Sequence, residues 1–550
     1  MKTFDDGFYI KEFGELNGSD EGNDKLLMQG IVMGISEIEH YPNLAVVKCQ
    51  GCRDEIQIHE SDFKNWRNFK IPKECLKCGG VFDVIQFSKG NIRKFLFGEE
   101  KNANPITITA FLFKSDVYNV KPGEKIRINA TLQSVKIGKS ETWKRVLDVK
   151  QMTSATNKPK MPTDDELKMF KELDKQKLID SFAPKIKGMD LIKEGLFIAC
   201  LGGVSQENQR GDINTLLMGD PGVAKTQLLK FTASIVQKSD YTSGKSASQA
   251  GLLAGVDNLS DGTRIAKPGS VIMCNGGVCC IDEFEKMNAS DRAGLHEVME
   301  NNTFSLRKIG INMTWEAKTA IFGAANPRGS KWDSELTIKE NVNLPDSLLS
   351  RFGLIFLIRD IPNKETDFAI ARHVRKIKQN TMDSVLEPML LTKFINYAKT
   401  INPKISDDAA DHIEQYWIDL RCQSQTNGSI LIDHRTLQDL YRIAEAYARM
   451  DLSEIVTKEH GKSAIKLLNG SLQTLGMATP GEAHQSMINY MNREQFLQFI
   501  FKDDMTESTA ILRMMNRRDL YPDESRAEKD LNKLRLMGKI YEKGDKLSWV

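Results

Sequence analysis

In the N-terminal part of the chain, apolar residues alternate with polar ones or form short runs, in LLMQGIVMGIS, LAVVKC, ITITAFLF and EKIRINATLQSVKI, with Gly, Pro or Asn between the stretches. A period of two puts every second side chain on one face of a strand, and short strands punctuated by turn residues predict a small β-barrel. The pattern then changes. From Thr153 to Leu178 the composition turns polar, with two prolines and a charged helical segment, which predicts a linker. Farther on, INTLLM reads as a buried strand, and QLLKFTASIV carries apolar residues at helical spacing. The stretch LIDHRTLQDLYRIAEAYARMD puts Leu437, Leu440, Tyr441, Ala444 and Ala448 at the core spacing of another helix. After NGSLQTLGMATPGEAHQS, the segments EQFLQFIF, STAILRMMN and AEKDLNKLRLMGKIYEKGDKLSWV predict three helices and a terminal hairpin, a winged-helix pattern. The expected fold class is multidomain α/β, with a β-barrel over 1–152, a linker over 153–178, a central α/β domain over 179–468, a second linker over 469–486 and the winged helix over 487–550.

A chain of 550 residues has room for three or four such domains, and a net charge of +2 confines any nucleic-acid surface to a local patch. No apolar run approaches the roughly eighteen residues of a membrane span, and no signal peptide is visible. A soluble, intracellular protein with no membrane partner is expected. Nine cysteines without a secretion signal argue for thiols or metal ligands rather than a disulfide framework.

Candidate chemistry begins at GDPGVAKT, residues Gly219 to Thr226, which almost match the phosphate-binding loop G-x-x-x-x-G-K-[ST] but carry Ala224 in place of the second glycine. Such a loop needs glycines where backbone N–H groups turn onto phosphate, a lysine for the outer phosphates and a hydroxyl for Mg²⁺, and Gly219, Gly222, Lys225 and Thr226 meet those needs. The nucleotide-contacting stretch is taken as Gly219, Asp220, Pro221, Gly222, Val223, Ala224, Lys225, Thr226 and Gln227, between a strand and a helix N-terminus. Taken alone, it also fits a Gly-Pro turn before any helix. A second nucleotide signal comes in GGVCCIDEFEKM, where an apolar run ends in Asp282 and Glu283. An acid at that strand end helps hold Mg²⁺, and the next acid polarises the attacking water. AKTAIFGAANPRGSKWD is an apolar strand ending in Asn326, a neutral group able to orient water, and LPDSLLSRFGLIF sets Arg351 on an exposed turn suited to a neighbouring subunit's transition state. FAPKIKGMDLIKEGLFIACLGGV opens this domain, and Ile186 and Gly188 are its candidates for backbone contact with the base.

Cys49-x-x-Cys52 and Cys75-x-x-Cys78 form two knuckles separated by 22 residues, 53–74. Four thiolates so paired suit a closed, structural Zn²⁺ site. With the strands around them they predict an OB-fold with a zinc ribbon inserted at about 49–78. Cys200, Cys274, Cys279, Cys280 and Cys422 read as small core residues. VKIGKSETWKRV predicts a hairpin bearing Lys136, Lys139, Lys144 and Arg145, either a DNA contact or a solvated edge.

Together, GDPGVAKT, GGVCCIDEFEKM, AANPRGSKWD and LPDSLLSRF resemble the minichromosome-maintenance (MCM) replicative helicases of the AAA+ superfamily, in which alanine before the P-loop lysine is usual. The resemblance runs from about Leu26 to about Asp451 and looks more archaeal than eukaryotic, the chain being compact, which implies a place in the cytoplasm or nucleoid. It implies an ATP-dependent DNA helicase, with ATP, Mg²⁺ and Zn²⁺ as cofactors and single-stranded and duplex DNA bound without sequence preference. A homo-hexamer and other replication proteins are the implied partners. It carries phosphate and Mg²⁺ binding to Lys225 and Thr226, metal support to Asp282, water activation to Glu283, the first sensor to Asn326, the trans-acting finger to Arg351 and the second sensor to Arg435. FSLRKIGINMTW matches the family's pre-sensor hairpin, with Lys308 directed at DNA, and ASQAGLLAGVDNLSDGTRIAKPGSVIMCNGGV matches its helix-2 insert. The helical domain that many members carry ahead of the OB-fold is expected to be missing or reduced, and Glu285 stands where aspartate is common.

Two other functions fit the same P-loop domain: a different AAA+ machine such as a chelatase or transcription activator, and a non-catalytic clamp on DNA. The zinc ribbon within a β-barrel speaks against the first. Intact Lys225, Asp282, Glu283 and Arg351 speak against the second.

Overall fold

The computed structural model describes residues 2–3, 9–10, 12–16, 20, 26–59, 69–99, 106–136, 143–155, 159–206, 209–245, 248–259, 262–308, 310–329, 331–333, 336, 338–379, 386–427, 432–477, 493–501, 505–515, 520–521, 523–543 and 546–549. They fall into two compact units: Met1–Lys158 with Gln249–Met273 and Ser305–Trp315, and the remainder.

The first unit is built on Leu26–Cys49, Phe82–Gly98, Thr107–Phe113, Lys125–Lys136 and Trp143–Ser154. The first strand pairs with the second, the second with the third, the third with the fifth, the fifth with the fourth, and the fourth with the first, so the sheet closes into a five-stranded, OB-like barrel. All pairings are antiparallel except third with fifth. Leu26, Met28 and Val32 point inward at alternate positions and meet Phe95, Phe97, Ile126, Ile128, Leu132 and Leu147. Each such side chain contributes about 1.5–3 kcal/mol when removed from water. Four register shifts along the first strand let its far half leave the barrel and pair with Glu55–His59 at the cysteine knuckles.

Two segments distant in sequence belong to this unit. In the insert, Ala254–Asn258 and Arg264–Pro268 form an antiparallel pair, and Ile265 and Ala266 pair antiparallel with the barrel's first strand at Ser36 and Ile35. Most of the hairpin Thr303–Lys308/Ile311–Glu316 also groups here, with Met313 against the barrel core.

The second unit holds a five-stranded parallel sheet in the order Ser239–Ser243, Val278–Asp282, Ala320–Ala325, Thr215–Gly219, Leu354–Ile358. Thr215–Gly219 comes first in the chain yet lies between the fourth and fifth strands. It is therefore the point where the strand order reverses, and in such sheets ligands bind beyond the carboxyl ends there. Every residue of Thr215–Gly219, Val278–Asp282, Ala320–Ala325 and Leu354–Ile358 is buried, which explains their continuous rather than alternating apolar pattern.

Helices Pro388–Ala398, Asp407–Asn427, His434–Met450 and Lys458–Thr474 follow. Leu440, Ala444 and Ala448 are fully buried, with Leu437 and Tyr441 packed against the same core. The polar side of that helix is buried as well: Arg449 caps Asp190–Leu201 by donating to the carbonyls of Leu201, Gly202 and Gly203 at 2.8–2.9 Å. Lys458–Thr474 extends into the stretch expected to be a linker from 469, because Leu472 packs in the core and the Ser471 and Thr474 hydroxyls accept from the Ile355 and Leu357 N–H groups. Residues 493–549 contain helices Arg493–Ile500, Glu507–Met514 and Glu524–Leu536 and the hairpin Ile540–Lys543/Lys546–Trp549, around a core of their own.

Candidate active site

The phosphate loop leaves the buried end of Thr215–Gly219 and enters helix Lys225–Ile235. Gly219 has φ 142°, and a Cβ there would lie 1.8 Å from the Ile358 carbonyl oxygen, so only glycine fits. Gly222 has φ 87°. Ala224 takes up φ 61°, ψ 13°, the left-handed conformation that a glycine would supply, at a cost of roughly 1–2 kcal/mol. The near-match in the motif is thus a near-match in backbone as well.

Asp220 is buried. Its two oxygens accept from the Trp332 N–H at 2.6 Å and the Asp360 N–H at 2.8 Å, pinning the loop to the segments after two neighbouring strands. Both oxygens of Asp220 are thus held by backbone donors. Pro221, Gly222 and Gln227 are exposed and Val223 is half-buried. Lys225 is buried and donates to the carbonyls of Gly219 and Asp220 at 2.7 and 2.6 Å. Burial lowers its ammonium to about 8, opposed by the charges of Asp220, Asp282 and Glu285.

Asp282 ends its strand beside the loop. Its Oδ2 accepts from the Thr226 hydroxyl at 2.6 Å and from the Tyr241 hydroxyl at 2.9 Å, and its Oδ1 from the Glu283 N–H at 2.8 Å. A hydroxyl and a carboxylate side by side, at the mouth of an anion loop, are a donor set that fits Mg²⁺. Glu283 sits at φ 50°, and its carboxylate accepts from Ser243 Oγ at 3.0 Å and from Lys286 Nζ. The bond from Lys286 is the main reason its carboxyl lies below the usual range. Asn326, just past Ala320–Ala325, donates through its backbone N–H and its amide to Glu285 at 3.1 and 3.4 Å.

Arg351 and Arg435 are not brought to this end of the sheet. Arg351 precedes Leu354–Ile358, whose Leu354 pairs with Thr215 and whose Ile358 pairs with Gly219. It therefore stands at the opposite end of the strands from the phosphate loop, more than four strand rises away, on the order of 13 Å. Arg435 opens helix His434–Met450 and shares with Arg351 the carboxylate of Glu300. Both backbone groups of Ile186 are engaged, its N–H with Ala183 and its carbonyl with the buried ammonium of Lys193, while Gly188 has φ 75° and nothing near its Cβ position.

Among the described residues, one group of three or more Cys, His, Asp or Glu side chains gathers closely enough to hold a metal ion. Cys49, Cys52, Cys75 and Cys78 place their sulfurs within 4.8 Å of one another. The two knuckles repeat one turn, with Arg53 N–H on the Cys49 carbonyl at 3.0 Å and Gly79 N–H on the Cys75 carbonyl at 2.8 Å. A Cβ on Gly51 would come within 2.9 Å of Cys78 Sγ, so the turn leaves its space to the sulfurs. Four thiols so gathered fit one tetrahedral Zn²⁺.

Comparison with known proteins agrees with this geometry. Residues 165–378 match the family model of the MCM P-loop domain, and 389–472 match that of the MCM AAA-lid domain. The chain is 31% identical to the DNA replication licensing factor mcm7 of Schizosaccharomyces pombe over 519 residues, covering 86% of this chain and 67% of that protein. The chain belongs to the MCM family. It is also 35% identical to the DNA replication licensing factor MCM4 of Arabidopsis thaliana, over 68% of this chain and 50% of that protein, and 32% identical to the minichromosome maintenance protein MCM of Saccharolobus solfataricus, over 74% and 64%. It spans half or less of the length of the plant MCM relatives it matches.

Of the DNA candidates in this MCM chain, Lys308 is exposed at the end of its strand, two residues before Gly310, which has φ 83°. Lys144 and Arg145 are exposed on Trp143–Ser154, and Arg145 donates to the Leu16 carbonyl at 2.8 Å. Lys139 lies outside the described residues. No helix among the described residues is long and apolar enough to cross a membrane. Sequence reading missed Tyr241, Ser243, Lys286 and Glu300 as partners of site residues. The polar SDYTS, in a strand pairing directly with VCCID, was the one local signal for the first two.

Proposed function

We propose that this MCM chain is one subunit of a homo-hexameric ring that hydrolyses ATP at sites completed by a neighbouring copy and uses the cycle to unwind DNA during replication. One observation carries the reading: the two arginines suited to transition-state charge stand at the opposite end of the sheet from the chain's own phosphate loop. A single copy lacks a finger; a neighbour supplies it.

In this reading the loop N–H groups and Lys225 bind the phosphates, and Thr226 and Asp282 hold Mg²⁺, which neutralises charge on the phosphate oxygens. Glu283 takes a proton from the attacking water and Asn326 orients that water. Arg351 and Arg435 act on the neighbour's γ-phosphate, and the Ile186–Gly188 segment covers the base. Lys308 touches the DNA backbone, which carries no sequence information. Lys139, Lys144 and Arg145 form a weaker candidate contact, since Arg145 is already engaged. Cys49, Cys52, Cys75 and Cys78 bind a structural Zn²⁺, and the barrel from 1 to 152 is an OB-fold with that ribbon. Residues 487–550 form a winged helix, and the ATPase domain runs from 179 to the end of helix Lys458–Thr474.

The test is strand displacement on a forked duplex with ATP, scored beside ATP hydrolysis. Glu283→Gln should bind ATP as the parent does and lose most turnover, because an amide of the same shape cannot take the proton. Hydrolysis near the parent rate, or no unwinding by the parent chain, overturns the reading.

A further inference from the structure

We infer that Glu285 is a positioning residue that fixes which end of the Asn326 amide faces the nucleotide. This rests on the reading of the site as an ATP hydrolase and adds a residue to which no role has been given.

Glu285 lies on the single turn Phe284–Lys286, directly after Glu283. The turn is anchored by Phe284, which is fully buried and meets the Phe352 ring edge-on at 5.7 Å. Glu285 is thereby held against the end of Ala320–Ala325, where one oxygen accepts from the Asn326 N–H at 3.1 Å and the other from Nδ2 at 3.4 Å. An ionised carboxylate accepts hydrogen bonds and donates none. Of the two ends of the amide, only the NH₂ can face it, since the flipped amide would set oxygen against oxygen. The 3.4 Å contact is long, so its effect is selection by charge rather than a strong bond. Asn326 Oδ1 is left without a partner among the described residues.

The orientation matters for the reaction. An attacking water gives one proton to Glu283, and its oxygen bonds to the γ-phosphorus as the bond to the bridging oxygen breaks, the electron pair leaving with ADP. Its second hydrogen needs an acceptor, which Asn326 Oδ1 supplies. An NH₂ there would instead donate to the lone pair that must attack. Glu285 also lies close enough to Lys225 to act on its charge, so an effect on phosphate binding is the competing explanation.

A double-mutant cycle in the full chain separates the two. Glu285→Gln keeps the shape but offers a donor that tolerates either amide orientation; kcat for ATP should fall about 10- to 100-fold with KM within about twofold. In an Asn326→Ala background the same change should cost less than about twofold, because nothing is left to orient. Glu285→Asp retains the acceptor-only charge with a shorter reach and should recover part of kcat. Equal losses in both backgrounds, a loss carried by KM, or a Glu285→Gln enzyme at the parent rate overturns the inference. Thermal unfolding of each variant checks the fold, and if Glu285→Gln does not fold, Glu285→Asp in the two backgrounds carries the same comparison. A parent chain that does not hydrolyse ATP overturns the functional reading itself, and this inference with it.

Discussion

Arg351 and Arg435 converge on one carboxylate. Glu300, near the end of helix Ala289–Asn301, accepts from Arg351 Nη2 at 2.6 Å and from Arg435 Nη2 at 2.9 Å, with Arg435 Nη1 on Ser350 Oγ at 3.4 Å. Arg351 Nε is buried without a hydrogen-bond partner among the described residues, an unspent donor. Two guanidiniums repel each other unless an anion lies between them, so Glu300 holds them as a pair. Glu300→Gln keeps the shape and removes the charge. Hydrolysis should fall about tenfold with ATP affinity unchanged, since in the proposed mechanism the pair acts at the transition state. The hydrogen bond from Arg351 holds the Glu300 carboxyl below the usual range. It therefore stays ionised above that range, and its contribution is lost only as pH falls through the lowered value. The ratio of parent to Glu300→Gln rates should thus stay flat between about pH 5.5 and 8; a ratio that collapses toward one at the acid end of that window contradicts the assignment.

Arg351→Ala and Lys225→Ala damage different ends of the sheet, and this makes them complementary. Mixed after subunit exchange, an Arg351→Ala copy supplies Lys225 and a Lys225→Ala neighbour supplies Arg351. Some interfaces then have both, and hydrolysis should partly return. A finger contributes roughly 10³–10⁵ in rate in P-loop enzymes, so a minority of repaired interfaces is visible. With exchange shown independently, no recovery at any ratio counts against action in trans.

Lys225 predicts proton uptake on nucleotide binding. Burial brings its ammonium down to about 8, so above that pH the empty loop holds a neutral amine. A triphosphate favours the charged form. Binding at pH 8 should therefore take up protons, and affinity should fall by up to about tenfold per pH unit above that value. Titration calorimetry in two buffers of different ionisation enthalpy reads the uptake. Lys225→Arg, which stays charged, should abolish the part due to this residue. Equal proton uptake by the two proteins would falsify the shift.

The four cysteines should hold about one Zn²⁺ per chain, as a site coupled to folding does. Cys75→Ser should lose the metal and lower the melting temperature of the first unit, because Cys49, Cys75 and Phe82 share one small core. Metal analysis of protein purified without chelator decides it; a metal-free chain of parent stability rejects the site.

Much of this architecture is written in short-range pattern. Alternation in LLMQGIV and the apolar run VCCI mark strands because a pleated strand and a fully buried one each impose their own spacing. GDPGVAKT and the two C-x-x-C pairs are legible for the same reason: a phosphate or a zinc ion constrains neighbours in sequence. Even the αL backbone at Ala224 sits where the motif wants glycine. Other features had no local signature. Asp220 reads as part of a phosphate loop, yet it spends both oxygens on Trp332 and Asp360. Glu300 reads as a helix-end acid, and the insert strand Arg264–Pro268 gives no hint that it pairs with Ser36 and Ile35. These depend on sheet order and chain crossing, which bring together residues that no periodicity relates. From sequence alone, then, the chain's phosphate loop, carboxylate pair and thiol cluster are determined, because each is a contact among near neighbours. Only the tertiary structure decided that the paired arginines stand at the far end of the strands from that loop, because the parallel register from Leu354 to Ile358 sets which end each residue occupies.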